Sequence, residues 1–242
     1  PPAQRRLIRD TAATNPHTVV VLVSGSPLEM DWIDEVPAIV MAWYPGMEGG
    51  RAIADVLFGA ANPCGKLPVT FARKLSDCAA HRNERQFPGS ETEVLYEEDI
   101  FVGYRHFDRE SIEPLFPFGF GLSYTRFAFS ELSAPASWQA GDTLQLSMTL
   151  TNAGPRDGAE VVQLYVGSCA PAVSRPVQEL RAFRKVWLAA GESRRIHFEL
   201  EPSALAYYCE KDHAWRSDPG DYDLSLGNSS RDIQLQARIR YG

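Results

Sequence analysis

The sequence has few cysteines and no apolar run that approaches the roughly 18 residues of a membrane span. Its four cysteines, Cys64, Cys78, Cys169 and Cys209, have neither metal-ligand spacing nor the density of a disulfide framework. We expect them to be small buried or partly buried residues, with a cross-link as the alternative. The five histidines are scattered, which predicts no metal site. No motif implies a cofactor.

Basic residues are outnumbered, with 24 Lys and Arg against 31 Asp and Glu and a net charge of −7. Nucleic acids and anionic membrane surfaces both select a basic surface, so the sequence argues against either as a partner. The apolar fraction of 44% is sufficient for hydrophobic cores, and 242 residues suggest one or two domains.

A glycine-rich turn over residues 43–50 lies between an apolar run and a helical pattern. The pattern predicts a strand over 38–43, a helix over 51–58 and a second short strand over 67–71. Strand, turn, helix and strand in this order are typical of an α/β unit. Ligands of open α/β sheets bind beyond the carboxyl ends of the strands, where this turn lies.

Two other kinds of site are excluded by their missing residues. Gly65-Lys66 lacks the upstream glycine and the following Ser or Thr of a phosphate loop, and 119–121 lacks the third glycine of a dinucleotide motif. Ser24-Gly25-Ser26 follows an apolar strand but lacks the Gly-x-Ser-x-Gly sequence of a nucleophile elbow.

The chain opens on a predicted helix that ends at Asn15-Pro16, followed by a strand over 19–23 that is apolar on both faces. With the two strands above, the sheet would have only three strands, which is few for an α/β domain. We therefore expect the chain to start inside a domain.

Residues 73–125 form a long segment that is polar at first and then rich in aromatic residues. Aromatic rings at this density bury well between two neighbours, so we interpret the segment as a strap between domains.

Beyond residue 126 apolar side chains alternate with polar ones, which is typical of half-buried strands. About seven strands separated by turn signals predict a β-sandwich. The predicted fold is thus part of a three-layer α/β sandwich with a parallel sheet over 1–72, a connector over 73–125 and a fibronectin-III-like sandwich over 126–242.

The amino-acid sequence of several segments resembles that of glycoside hydrolase family 3, the β-glucosidase and β-xylosidase family. Residues 43–59 read Trp-Tyr-Pro-Gly-Met-Glu-Gly-Gly-Arg-Ala-Ile-Ala-Asp-Val-Leu-Phe-Gly, and 62–71 read Asn-Pro-Cys-Gly-Lys-Leu-Pro-Val-Thr-Phe. Further similar segments are 96–106, 116–125 and 160–166. One departure is Asp99, where the family usually has glycine. If that position has a positive φ, aspartate tolerates it with some strain.

The resemblance implies a barrel domain, an α/β sandwich and a fibronectin-III-like domain, of which this chain would be the last part. It also implies a retaining mechanism, with an aspartate nucleophile in the barrel and a glutamate acid/base ahead of residue 1. No catalytic residue is therefore assigned within this chain. The expected partners are an oligosaccharide or glycoside substrate and the barrel domain. The sequence is compatible with a monomer or an oligomer.

Glu48, on the glycine-rich turn, is the best candidate in the chain for lining a substrate pocket, and its alternative role is that of a helix N-terminal carboxylate. Glu97, Glu98 and Asp99 form a charge run, which is either a solvated face or pairs with nearby cations such as Arg105. We interpret three acids, Asp31, Asp34 and Glu35, as part of a solvated short helix. Three tryptophan rings could belong to a core or stack on sugars, namely Trp32, Trp43 and Trp215. The sequence Asn228-Ser229-Ser230 is either a glycosylation sequon or a hairpin turn.

Two hypotheses follow. The chain is the carboxyl-terminal part of a retaining β-glycosidase that hydrolyses terminal non-reducing β-linked glucose or xylose, or it is a non-catalytic module for stability or for glycan or partner binding. The sequence favours a secreted or periplasmic location slightly over a cytoplasmic one.

Overall fold

Two parallel strands and two helices make up the amino-terminal region. The computed structural model describes residues 1–242. Helix α1 spans Pro2–Thr14, strand β1 Val19–Leu22, strand β2 Ala38–Met41 and helix α2 Gly49–Leu57. Strands β1 and β2 pair in parallel, with Val19 opposite Ala38. The predicted order of helix, strand, strand and helix over residues 1–58 is confirmed, and α2 begins two residues before the predicted start.

The predicted strand over 67–71 is wrong as a member of this sheet. Only Phe71 forms a β-bridge, and its partner is Phe116 in antiparallel orientation. The Leu67 amide donates to the Phe120 carbonyl at 2.8 Å, so the segment runs against residues 115–120 rather than against β2. Pro68 lacks an amide hydrogen and prevents a continuous ladder.

The carboxyl-terminal half is a two-sheet β-sandwich. A five-stranded sheet has the order β4-β12-β11-β6-β7, and a three-stranded sheet has the order β3-β5-β8. The seven predicted strands are confirmed, and three short strands, β4, β9 and β10, are additional. The strands are β3 Phe127–Ser133, β4 Ser137–Trp138, β5 Leu144–Asn152, β6 Gly158–Ser168, β7 Glu179–Leu188, β8 Ser193–Leu200, β9 Tyr207–Cys209, β10 Ala214–Arg216, β11 Gly220–Gly227 and β12 Ile233–Tyr241.

The core of the sandwich follows directly from the period-two pattern. Leu144, Leu146, Met148 and Leu150 of β5 point inward and are buried, while the residues between them face outward. A cluster of 19 buried residues fills the space between the sheets, whereas the α/β region has a cluster of only five. The sandwich therefore carries most of the apolar burial of the chain.

The segment 73–125, called the strap below, packs against the sandwich through aromatic rings. Its one α-helix, α3, spans Tyr104–Arg109. The ring of Tyr104 stacks on Phe118 at 5.1 Å between centroids and meets Tyr165 of β6 edge-on at 6.0 Å. The Tyr104 hydroxyl accepts a hydrogen bond from the Leu180 amide at 3.0 Å. Rings thus anchor the strap, as the composition indicates.

Charged groups fix the same helix to the sandwich. Arg105 pairs with Glu179 of β7 at 3.0 Å. The Asp108 carboxylate accepts hydrogen bonds from Arg231 at 3.0 Å and from Gln178 at 3.2 Å. Burial raises the pKa of Asp108, and the Arg231 guanidinium opposes that rise.

A second junction joins the α/β region to the sandwich through Asn62 and Lys66. The Asn62 amide donates to the Asp157 carbonyl at 2.9 Å, and its oxygen accepts from the Ser123 hydroxyl at 2.9 Å and the Tyr124 amide at 2.8 Å. The Lys66 ammonium lies 2.7 Å from the Glu160 carboxylate, with side chains only 11% and 7% exposed. The ion pair therefore lies largely out of water.

The departure from the family pattern at Asp99 falls on a left-handed backbone. Asp99 has φ of 55°, so the position is one at which a non-glycine residue carries some strain. Aspartate is among the few non-glycine residues that adopt this region readily, so the substitution is compatible with the local fold.

His106 of α3 predicts a pH dependence of stability. The imidazole is 1% exposed, its Nε2 donates to the Asp77 carbonyl at 3.1 Å, and its Nδ1 has no partner. Burial lowers the pKa of His106, and neighbouring Arg82 lowers it further. The unfolded chain then binds more protons than the folded chain below pH 6.5, so the free energy of unfolding should fall as the pH drops below that value.

The measurement is urea denaturation between pH 7.5 and pH 5. His106→Gln keeps a donor for the Asp77 carbonyl but cannot be protonated, so its unfolding midpoint should depend less on pH. The exposed His213 offers a matched control, since His213→Gln should retain the pH dependence of the unaltered chain. Equal slopes for His106→Gln and the unaltered chain would contradict the assignment.

Candidate functional site

The candidate site lies at the carboxyl edge of the β1–β2 pair. Residues 23–31 follow β1 and residues 42–48 follow β2, and parallel pairing brings both segments to the same edge. Loops at this edge are the usual ligand-binding elements of α/β sheets because the strands hold them side by side.

The glycine-rich turn requires positive φ angles and close contacts of the backbone with neighbouring atoms, which few residues other than glycine allow. Trp43 has φ of 52° and Gly46 has φ of 74°, so the chain reverses over a few residues. Gly49 is buried at the start of α2, where an added Cβ would lie 2.7 Å from the Pro45 ring. Glycine at this position therefore lets the turn close onto the helix.

The turn presents apolar side chains to the outside. Tyr44 is 78% exposed, and Met47 is completely exposed. The Tyr44 ring rests on Gly25 of the neighbouring segment, where an added Cβ would lie 2.7 Å from the ring. Because Gly25 has no side chain, the Tyr44 ring packs directly on its backbone, and this contact joins the two segments.

Glu48, the predicted pocket residue, lies at the N-cap of α2 and is exposed. Its carbonyl accepts from the Ala52 amide at 2.9 Å, whereas its carboxylate makes no capping bond to the helix. The carboxylate is the only acidic group of the 43–50 turn. Because Glu48 is exposed, its carboxylate is accessible at the carboxyl edge of the β1–β2 pair.

Buried rings support the turn from below. Trp43 meets Phe71 edge-on at 6.3 Å, and Phe71 meets Phe116 at 6.2 Å. Trp32 is 3% exposed and belongs to the same core. Of the three tryptophans considered for sugar stacking, Trp32 is therefore core, Trp43 is half-buried, and Trp215 is exposed on β10.

The acidic run of the strap does not pair with Arg105, and of its two predicted roles the structure shows the solvated one for Glu97 and Asp99, which are exposed. Glu97 accepts a hydrogen bond from Asn83 at 3.1 Å, and Glu98 accepts one from Gln86 at 3.4 Å. Arg105 instead pairs with Glu179 on the sandwich, because α3 turns its side chain toward β7. The run is partly tied down within the strap.

Asp34 and Glu35 lie on a short 3₁₀ helix over Ile33–Glu35, as predicted, whereas Asp31 lies in the turn before it. Arg9 of α1 pairs with Asp31 at 3.1 Å and with Glu35 at 2.9 Å. A groove of about 540 Å³ beside them is lined by polar residues and prolines. Its two carboxylates, Asp10 and Asp31, are both in arginine ion pairs, which points to a structural role.

The remaining predicted features have mostly structural roles. Asn228-Ser229-Ser230 forms the hairpin between β11 and β12, and both serines are buried. The four cysteines are free and, except for exposed Cys169, half-buried. No three His, Cys, Asp or Glu side chains come together as metal ligands would. None of the helices combines the length and apolarity that a bilayer span requires.

The fold and its junctions define a class of protein. In this class an α/β region carries loops at the carboxyl edge of its sheet and is joined through a strap to a fibronectin-type sandwich. The family description "Glycosyl hydrolase family 3 C-terminal domain" matches residues 1–104, and "Fibronectin type III-like domain" matches 160–230. The chain belongs to glycoside hydrolase family 3, as part of its carboxyl-terminal region. The first match extends beyond residue 72, so the division at 72 and 125 stays a prediction.

Curated relatives match along almost all of the chain. A β-glucosidase of Rhizobium radiobacter is 45% identical over 99% of the chain, and Beta-glucosidase BoGH3A of Bacteroides ovatus is 41% identical over 100%. Thermostable beta-glucosidase B of Acetivibrio thermocellus is 44% identical over 99%. The chain spans 29%, 32% and 32% of these relatives, or about a third of their length.

Solved structures give the same result for the fold. The family 3 β-glucosidase of Bifidobacterium adolescentis superposes with a TM-score of 0.93 at 40% identity, covering 100% of this chain and 35% of that protein. The β-glucosidase of Kluyveromyces marxianus in complex with glucose gives 0.91 at 39% identity, covering 98% and 28%. The α/β region and the sandwich are thus similar in arrangement to those of these proteins.

Proposed function

We propose that this chain is the carboxyl-terminal portion of a retaining β-glycosidase that releases terminal, non-reducing β-linked glucose from oligosaccharides or glycosides. The observation that carries the proposal is the match of nearly the whole chain to β-glucosidases at 41–45% identity. Glucose is favoured over xylose because the three relatives are all named β-glucosidases.

The reacting carboxylates are proposed to lie outside these 242 residues. A retaining glycosidase needs two carboxyl groups about 5–5.5 Å apart, one as nucleophile and one as acid and base. Glu48 is the single acid on its turn, and Asp31, Glu35, Glu97 and Glu98 are held in ion pairs or hydrogen bonds. The chain would supply one wall of the pocket to a barrel domain that supplies the nucleophile.

Glu48 and Tyr44 are the proposed contributions of that wall. Both side chains are exposed at the carboxyl edge of the sheet. Apart from the packing of the Tyr44 ring on Gly25, neither side chain contributes to the surrounding fold. A tyrosine ring offers a flat surface to a sugar, and a carboxylate accepts hydrogen bonds from sugar hydroxyls. In this role both residues bind substrate without reacting.

The test is hydrolysis of an aryl β-glucoside. The purified chain alone should give no turnover above buffer, and adding the barrel-bearing remainder of a family 3 β-glucosidase should restore it. In that assembly Glu48→Gln should raise KM up to about tenfold, because a hydrogen bond to a charged group is weakened. Glu210→Gln, at an exposed position in the β9–β10 turn, is the control.

Turnover by the isolated chain that is lost in Glu48→Gln or Glu98→Gln would contradict the proposal, since a catalytic carboxylate would then lie within it. An assembly that binds glycosides but never turns them over would favour the non-catalytic module instead.

A further inference from the structure

A groove of about 570 Å³ crosses the seam of the sandwich between β7 and β8. These are edge strands of the two different sheets. Phe183 and Trp187 of β7 line the groove and are 65% and 55% exposed. Because residues two apart on a strand share a face, Phe183, Lys185 and Trp187 form one row along the groove.

Every polar side chain that lines this groove is basic. Besides Lys185 they are Arg184, Arg194, Arg195 and His197, and no acidic residue lines it. The chain as a whole carries a net charge of −7, so the four Lys and Arg side chains of the groove are a local reversal of sign. Such a reversal favours an anionic ligand through charge complementarity.

The seam is held in a defined shape. The Arg184 side chain crosses from β7 and donates from Nε to the His197 carbonyl of β8 at 2.9 Å. Arg194 pairs with Glu192, and Arg195 lies 3.5 Å from Glu131. Neither of these two glutamates lines the groove. Lys185 has no ion pair, which leaves its ammonium free to meet a carboxylate.

We propose that this groove binds a short acidic oligosaccharide that bears uronate carboxylates. Phe183 and Trp187 are four residues apart, or about 13 Å along the strand, so two sugar rings can lie against two aromatic faces. Lys185 lies between them, where it meets the carboxylate of a sugar unit. The N–H groups of Arg184 that do not bond to His197 then donate to the remaining ligand oxygens, because Arg194 is paired with Glu192 and Arg195 is bonded to Ser147 and Thr149.

The choice of a sugar as the ring-bearing anion rests on the proposed function, since a glycosidase acts among glycans. The groove lies on the fibronectin-type sandwich and the Tyr44–Glu48 surface on the α/β region, so ligand binding and turnover can be measured separately. An inactive assembled enzyme would leave this inference intact, and absence of binding would leave the proposed function intact.

The test is isothermal titration of the 242-residue chain with tetragalacturonate, and with neutral cellotetraose for comparison. The acidic sugar should bind at least tenfold more tightly, and 0.5 M NaCl should weaken its binding several-fold. Trp187→Ala and Lys185→Ala should each weaken binding about tenfold. Trp215→Ala is the matched control because Trp215 is a 72% exposed tryptophan on β10, and it should change nothing.

Several results would overturn the proposal. They are no binding of tetragalacturonate at millimolar concentration, equal affinity for cellotetraose, or an equal loss in Trp215→Ala. Concentration-dependent dimerisation that Trp187→Ala abolishes, without sugar binding, would show instead that the groove is an interface between copies of the chain.

Discussion

Replacing Lys66 with methionine should lower the free energy of unfolding by about 3–5 kcal/mol, because it leaves a buried carboxylate without its partner. Lys66 and Glu160 are 2.7 Å apart and largely buried at the junction of the α/β region and the sandwich. The lysine also donates to the Gly121 carbonyl at 3.0 Å. Urea denaturation followed by circular dichroism measures the loss.

Removing both charges distinguishes two contributions to the free energy of unfolding: the destabilisation by an unpaired buried charge and the net stabilisation by the ion pair. Lys66→Met with Glu160→Leu should recover most of the lost stability, since a buried ion pair is often no better than an apolar replacement. Arg238→Ala breaks the exposed Arg238–Asp223 pair and should have no measurable effect. A loss in Lys66→Met no larger than in Arg238→Ala would show that the junction pair is solvated.

A fragment of residues 1–71 should fail to fold cooperatively, whereas residues 126–242 should unfold in a single cooperative transition. The α/β region has one two-stranded sheet and five buried core residues, and Leu115 and Phe116 of the strap pack on that core. Without the strap the fragment exposes apolar surface and open strand edges. The sandwich has eight strands in its two main sheets and 19 buried residues.

Thermal melts of the two fragments, with light scattering, distinguish these outcomes. The expected result is aggregation or a melt without a transition for 1–71 and a sigmoidal transition for 126–242. A cooperative transition of 1–71 alone would mean that the strap and the sandwich are dispensable for the α/β fold.

The β-sandwich could be predicted from the sequence because burial on one face of a strand leaves a period-two record. Leu144, Leu146, Met148 and Leu150 carry that record, and β5 lies where they indicate. The short strands β9 and β10 have three residues each, which is too few for a period to show. Glycine and proline signals likewise located the turns and the ends of α2.

Long-range pairing is where sequence reasoning failed. Residues 67–71 look like one more strand of the parallel sheet, yet they pair with the 115–120 segment of the strap. The Lys66–Glu160 contact was also missed, although a glutamate inside an apolar strand pattern was a signal that a cation would meet it. Periodicity describes which face is buried and carries no information about which distant segment covers it.

The candidate site was predicted in part. The sequence located the glycine-rich turn and selected Glu48, and the structure places that residue at the carboxyl edge of the β1–β2 pair. It gave no sign that Tyr44 would rest on Gly25, because the two belong to different loops that meet only when β1 pairs with β2. The role of Glu48 in substrate binding stays a prediction.

We propose that this chain forms part of a retaining β-glucosidase whose reacting carboxylates lie outside residues 1–242. A retaining enzyme forms a covalent glycosyl-enzyme, which a slow 2-fluoroglucoside substrate traps long enough for peptide mass mapping. In the assembly of this chain with a family 3 barrel, the label should sit on an aspartate of the barrel polypeptide, and peptides from residues 1–242 should carry none. A labelled carboxylate within residues 1–242 would contradict the account.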